Sequence, residues 1–198
     1  MGENLHRSLP LQRCRGLLGQ IAETRRMFMA AESLLDPAAS SSPCLAITSA
    51  APEEGKTLVL TGLATAAVQE TSKPVLAMDL NWYRPALHQY FGLERTFKVH
   101  DLAANDAVRR YARPCGIQGL DILAAPLPCE SKEAPIQEIG GGIARLIREA
   151  RAAYGMVFLD CHSIFPANRH MIDPVSLGRL SDLVVLVVLA GVTPRQDA

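Results

Sequence analysis

ITSAAPEEGKTLVL, residues Ile47 to Leu60, joins a β-rich run to a helix-like run across Gly55, Lys56 and Thr57. Each residue type at that hinge has a use in holding phosphate. Glycine lets the backbone wrap closely, amides at a helix start point at anionic oxygens, lysine neutralises charge, and a threonine hydroxyl can ligate Mg²⁺. The general phosphate-loop pattern also asks for glycine five residues before Gly55, and Ala50 stands there. Taken alone, the hinge reads either as a phosphate cradle or as a plain strand-to-helix connection.

Outward from the hinge, apolar runs alternate with helical patterns. Cys44 to Ser49, Pro74 to Leu80, Leu120 to Ala125, Met156 to Asp160 and Leu183 to Ala190 read as strands. Their near-continuous apolar character fits a parallel sheet covered on both faces. Between them, Leu60, Leu63, Ala64, Ala67 and Val68 make one helical face, and Ile139, Ile143, Leu146, Ile147 and Ala150 another. Gly140 to Gly142 would weaken the start of that second helix by about 1 kcal/mol each relative to alanine, so it is expected to begin near Ile143. The order predicts an α/β fold: a doubly wound, mostly parallel sheet. Residues 11–35 predict an amphipathic helix with Leu17, Ile21, Thr24, Phe28, Ala31 and Leu35 on one face, ending at the Pro- and Ser-rich Asp36 to Pro43. The expected organisation is therefore an N-terminal helix and linker over 1–43 and the α/β domain over 44–198.

Twenty basic and twenty acidic residues cancel across the 198 positions, so long-range charge gives no drive toward nucleic acid or anionic lipid. The five cysteines, Cys14, Cys44, Cys115, Cys129 and Cys161, lack the close pairs of zinc or redox motifs and read as the reduced thiols of a cytosolic protein. Glu3, His6 and Arg7 interrupt any apolar signal core, and the run Leu183 to Ala190 is too short to cross a bilayer. Direct membrane insertion is not expected; membrane association would come through a partner.

Ligands of doubly wound folds bind beyond the carboxyl ends of the strands. Three ends here carry chemistry: the Gly55-Lys56-Thr57 turn, Asp79 with Asn81, and Asp160. A carboxylate ending an apolar strand is suited to holding a magnesium-bound water beside phosphate. Each aspartate taken singly reads equally well as a helix N-cap or turn residue.

Together these residues resemble the bacterial tyrosine kinases of capsule and exopolysaccharide synthesis, a branch of the MinD/ParA-like P-loop ATPases. The family's loop, S-x-x-P-x-E-G-K-[ST], is matched by Ser49, Pro52, Glu54, Gly55, Lys56 and Thr57, and it does without the first glycine. MDLNWYRPALHQYFGL, Met78 to Leu93, is similar to the second motif, YGMVFLD to the third, and SDLVVLVVLAGVTPRQD to the next strand and its loop. The resemblance spans about residues 44 to 195 and implies ATP and Mg²⁺ as cofactors. It implies that Lys56 contacts the β- and γ-phosphates, that amides from Glu53 to Thr57 cup them with Leu58 alongside, and that Thr57 ligates the metal. Asp79 would sit beside the γ-phosphate, and Asp160 would hold Mg²⁺ through water. A membrane polysaccharide co-polymerase of the chain-length regulator type is the implied partner, and homo-oligomeric assembly the implied state.

Departures temper the chemistry. Asn81 occupies the place of a second aspartate and cannot accept a proton, a loss of about 10²- to 10⁴-fold where such a group is the base. Leu58 and Gly62 stand where a hydroxyl residue and an asparagine are common, and Cys161, His162 and Ser163 replace the proline after the third motif. His162 reads as a hydrogen-bonding loop residue before it reads as a metal ligand. The four tyrosines are Tyr83, Tyr90, Tyr111 and Tyr154, so a C-terminal tyrosine cluster is not supported. Of the oligomer motif E-x-x-R-x-x-R, Glu23 and Arg26 match and Met29 departs. The expected sheet ends on an open edge at its last strand. Two alternatives stay open: a MinD/ParA-type ATPase switch, and a catalytically inactive scaffold of the same fold.

Overall fold

The computed structural model describes residues 22–38, 40–128, 136–165, 171–191 and 193, and the predicted Leu17 and Ile21 lie outside them. The elements are α1 (Ala22–Ser33), β1 (Cys44–Ser49), α2 (Lys56–Thr71), β2 (Val75–Asp79), α3 (Leu87–Phe91), a 3₁₀ turn (Val99–Ala103) and α4 (Ala107–Tyr111). Next come β3 (Arg113–Pro114), β4 (Leu120–Leu123), α5 (Ile136–Ala153), β5 (Met156–Asp160), α6 (Pro174–Arg179) and β6 (Leu183–Val187). The strand order is β3-β4-β2-β5-β1-β6. Every pairing is parallel except the short β3 against β4.

Alternation along the buried strands feeds two cores. Cys44, Ala46, Leu76, Met78, Val157 and Leu159 face α5 and its neighbours through Ile143, Leu146, Ile147 and Ala150. Leu45, Ile47, Val75, Ala77, Met156 and Phe158 face α2 through Leu60, Leu63, Ala64 and Ala67. With helices on both faces, β1, β2 and β5 are fully buried, the reason for their continuous apolar runs.

The second core extends into α1, where Phe28 and Ala31 are buried. This cover makes α2 buried nearly all round, including Thr61, Gly62, Thr65 and Ala66 outside its predicted face. Its threonines satisfy their hydroxyls within the helix: Thr61 donates to the Thr57 carbonyl at 2.7 Å and Thr65 to the Thr61 carbonyl at 2.8 Å. Gly62 has a packing reason, because a Cβ there would lie 2.7 Å from Thr24 Cγ2 of α1. The ion pair at this seam is Arg25 with Glu70 at 2.6 Å, not a pair within the Glu23 and Arg26 motif.

Two expectations are corrected. The long helix does not begin near Ile143; it runs from Ile136 straight through the glycine triplet. A local cost of a few kcal/mol is overridden by burial of Ile143, Leu146, Ile147 and Ala150 along the same helix. The last strand stops at Val187, and its exposure alternates, so it is not covered on both faces. Among the described residues β6 pairs only with β1, and Val184, Leu186 and Val188 are exposed.

Candidate functional site

The topology places three strand ends side by side. β5 lies between β1 and β2, with Asp79 registered against Asp160 and Ile47 also against Asp160. The turn after β1 therefore opens over the tips of β2 and β5. A cleft of about 890 Å³ lies there, walled by Gly55, Lys56, Thr57 and Leu58 on one side and by Asn81, Tyr83 and His162 on the other.

The turn is shaped by its backbone. Glu53 at φ 65° and Gly55 at φ 90° are both left-handed. That conformation turns successive amides toward one concavity and produces an anion-binding nest. No atom lies within 4 Å of a Cβ built on Gly55, so glycine is required there by the dihedral angle, not by crowding. Glu54 braces the turn from inside: its carboxylate accepts the Ala51 amide at 2.8 Å and the Thr193 hydroxyl. Burial would raise its pKa, and these bonds with Lys56 outweigh that and hold it below the ordinary value. Glu53 is exposed and pairs with Arg84 at 3.2 Å, tying the turn to the opposite wall. Pro52 is exposed on the rim of the cleft, as is Leu58.

Lys56 is buried and folds back on the turn, Nζ donating to Ser49 Oγ at 3.0 Å, while that hydroxyl donates to the Ala51 carbonyl at 2.6 Å. Desolvation lowers the lysine pKa, partly offset by Asp160 and Glu54. Thr57 Oγ1 donates to Asp160 Oδ2 at 2.7 Å, so the phosphate turn and the β5 tip are in direct contact. The other oxygen, Asp160 Oδ1, is buried with no hydrogen-bond partner. Burial pushes the Asp160 carboxyl up to about 6, against the opposing pull of Thr57 and Lys56.

Asp79 is arranged differently. Its Oδ1 accepts the Asn81 amide and its Oδ2 the Leu87 amide, each at 3.1 Å. It thus holds the loop after β2 and the first residue of α3, and it does not wall the cleft. Burial and the neighbouring Asp160 raise its pKa well above the ordinary value. Asn81 does wall the cleft, and its Oδ1 is buried without a partner.

Sequence reading assigned no role in the cleft to Tyr83, Arg84, Ser163 or Tyr90, which line it. Tyr83, Arg84 and Tyr90 lie within the second motif and Ser163 just beyond the third, which was the signal available for them. His162 departs from its expectation as a satisfied loop residue. It is buried, its carbonyl accepts the Thr48 hydroxyl at 2.6 Å, and its Nε2 has no partner. Burial first, then Lys56, lowers its pKa to about 4, which leaves the ring neutral at physiological pH.

Two residues with unpartnered buried polar atoms, Asn81 and His162, line the cleft, and a third, Asp160, contacts Thr57 of its turn. An unpaired buried polar atom costs about 1–3 kcal/mol, so such a cluster marks a place built for a ligand. The donor set fits Mg²⁺, which prefers oxygen ligands, keeps several waters, and is commonly held by one or two carboxylates with substrate phosphates. Among the described residues no group of three or more His, Cys, Asp or Glu could hold a metal by itself. No helix among them is long and apolar enough to cross a membrane.

No family model matches the chain. It is 31% identical over 154 residues to the tyrosine-protein kinase YwqD of Bacillus subtilis (strain 168), a match covering 77% of this chain and 62% of that protein. The chain thus spans less than two thirds of the length of this curated relative. Among solved structures, the VpsO kinase domain superposes with a TM-score of 0.71 at 21% identity, covering 94% of this chain and 84% of that one. The kinase domain of Escherichia coli tyrosine kinase ETK gives a TM-score of 0.66 at 23% identity, covering 79% and 59%. MinD of Pyrococcus horikoshii OT3, complexed with Mg-ADP, gives 0.57 at 20% identity, covering 74% and 58%. The chain is a homologue of bacterial tyrosine kinases, built on the fold that those kinases share with the MinD and ParA ATPases.

Proposed function

We propose that the chain binds ATP with Mg²⁺ in the cleft over Lys56 and Thr57, and that nucleotide occupancy governs its association with a membrane polysaccharide co-polymerase in exopolysaccharide or capsule synthesis or export. The observation that carries the binding is a left-handed turn beside a cleft lined by Asn81 and His162, each with an unpartnered buried polar atom, with Asp160, likewise short of a partner, bonded to Thr57 of that turn. The likeness to YwqD supports the wider role.

In this reading, amides from Glu53 to Thr57 cup the phosphates, and Lys56 exchanges the Ser49 hydroxyl for phosphate oxygens. Thr57 and Asp160 are the residues that would hold Mg²⁺, which when bound neutralises charge on the phosphates. Asp79 fixes the loop that presents Asn81. Asn81 offers an oxygen to a cation or a hydroxyl and takes up no proton, so binding is favoured over phosphoryl transfer. The described tyrosines outside the cleft are occupied elsewhere: Tyr111 stacks on Phe97 and Tyr154 donates to Asp121 at 2.7 Å. The reading is thus an ATP-dependent switch of the bacterial tyrosine kinase type, acting at the membrane through its partner.

Thermal melting with Mg-ATP tests this. A ligand at 100 times its Kd stabilises the native state by about 2.7 kcal/mol. At about 2.1 cal/mol/K per residue the unfolding entropy of a chain this long is about 0.4 kcal/mol/K, so Tm should rise by about 6 °C. The rise should vanish in Lys56→Ala. A wild-type protein unmoved by Mg-ATP, or an equal rise in the variant, refutes the reading.

A further inference from the structure

His162 is the polar side chain in the cleft that the phosphate turn does not account for. It lies two residues beyond Asp160, so the end of β5 that contacts Thr57 also carries this imidazole. It lies on the cleft wall with only 4% of its surface exposed, and its Nε2 is buried without a partner. The position is fixed from behind, because the Thr48 hydroxyl holds the His162 carbonyl at 2.6 Å. The Tyr83 ring lies beside it on the same wall, its centre 6.4 Å away. A buried polar atom is ordinarily paired with protein or water. This imidazole keeps an unpartnered nitrogen on the wall of a cleft that Lys56 also lines, and in the tautomer protonated at Nε2 it offers a donor to an anionic ligand there.

We infer that His162 is a phosphate-recognition residue of this site, its Nε2–H donating to an oxygen of the terminal phosphate of a bound nucleoside triphosphate. The inference rests on the proposed nucleotide site and adds to it a means of telling triphosphate from diphosphate. The amides of Glu53 to Thr57 and the start of α2 take the phosphates nearest the helix. A third phosphate extends from there over the β5 tip, and His162 is the donor on that side. Through Nε2–H it contributes a directed hydrogen bond. With a diphosphate bound, Nε2 keeps its missing partner, so the two nucleotides differ by one satisfied buried donor. A hydrogen bond to a charged acceptor changes affinity by roughly tenfold to a hundredfold.

The test is titration calorimetry of the intact chain with Mg²⁺ and either ADP or a non-hydrolysable ATP analogue, so that binding is read without turnover. His162→Phe keeps the ring and removes the donor; His162→Gln places an amide N–H near the position of Nε2. The wild type should prefer the triphosphate analogue. His162→Phe should lose tenfold or more in affinity for the analogue while its ADP affinity moves less than threefold, and His162→Gln should recover most of the loss. Both variants should melt within a few degrees of the wild type without nucleotide, since the Thr48 contact is to the backbone. Equal losses for both nucleotides, or none for either, with wild-type binding intact, would overturn the role of His162 and leave the nucleotide site standing. A wild type that binds neither nucleotide removes the site and this inference with it.

Discussion

Replacing Asp160 with asparagine should make the unliganded protein less sensitive to pH and unable to respond to Mg-ATP. The carboxyl of Asp160 is raised from 3.8 to about 6 by burial. For an acid shifted upward, the native state binds the extra proton, so the sign is fixed. Below pH 4 both states are protonated and the group contributes nothing; between about 4 and 6 the unfolded chain ionises first and stability falls; above that the whole cost is present. Raising a pKa by about 2 corresponds to about 3 kcal/mol. Asparagine keeps an oxygen to accept from Thr57 and never ionises, but it places an N–H2 where Oδ1 has no partner, at a pH-independent cost of about 1–3 kcal/mol. The informative quantity is therefore the change in the difference between the two proteins. With an unfolding entropy of about 0.4 kcal/mol/K, Tm of Asp160→Asn relative to wild type should rise by about 7 °C from pH 4 to pH 8. Differential scanning calorimetry in matched buffers without divalent cation reads it directly. A Tm difference constant to within 2 °C over that range would refute the claim that ionising this buried carboxylate destabilises the fold. At pH 8 Mg-ATP should stabilise the wild type and leave Asp160→Asn nearly unmoved.

The packing around the site carries further outcomes. Thr24→Ala should relieve the crowding in Gly62→Ala, since the added Cβ would meet Thr24 Cγ2 at 2.7 Å; a double-mutant cycle by urea unfolding should return a coupling of about 1 kcal/mol or more. Phe28→Ala should cost about 3–5 kcal/mol and expose α1 to limited proteolysis before the sheet, because Phe28 is fully buried against α2. Leu186→Lys on the open face of β6 should change stability by less than about 0.5 kcal/mol and reduce self-association at high concentration, as measured by light scattering.

That contrast between β6 and the inner strands shows what a sequence can and cannot carry. β1 and β5 run between the residues at which their apolar runs begin and end, because both faces are covered and every position reports burial. β6 has the same composition, yet alternate residues face solvent. An apolar run records what a strand could bury, and the neighbours decide whether it does. The short elements were invisible for a different reason. α3, α4 and the 3₁₀ turn are five residues each, less than two helical turns, so no period can be read from them. β3 carries Pro114 and pairs at the sheet edge, where the missing donor does no harm.

The candidate site divides along the same line. Gly55, Lys56, Thr57 and Asp160 could be placed together from sequence because each ends or begins an element, and the topology of a doubly wound sheet brings those ends to one side. The sequence was silent on how the two aspartates differ. Both end buried strands and they are registered against each other, yet Asp79 spends its oxygens on the amides of Asn81 and Leu87 while Asp160 keeps one oxygen free. The difference comes from the course of the chain beyond each strand. After β2 the chain loops through residues 80–86 into α3, and the amides of Asn81 and Leu87 need an acceptor; after β5 it runs along β1, where Cys161 donates its amide to the Ile47 carbonyl. Two similar strand ends thus acquire different chemistry from the backbone that leaves them. The oxygen left free on Asp160 beside Thr57 is the feature on which the proposed nucleotide binding turns.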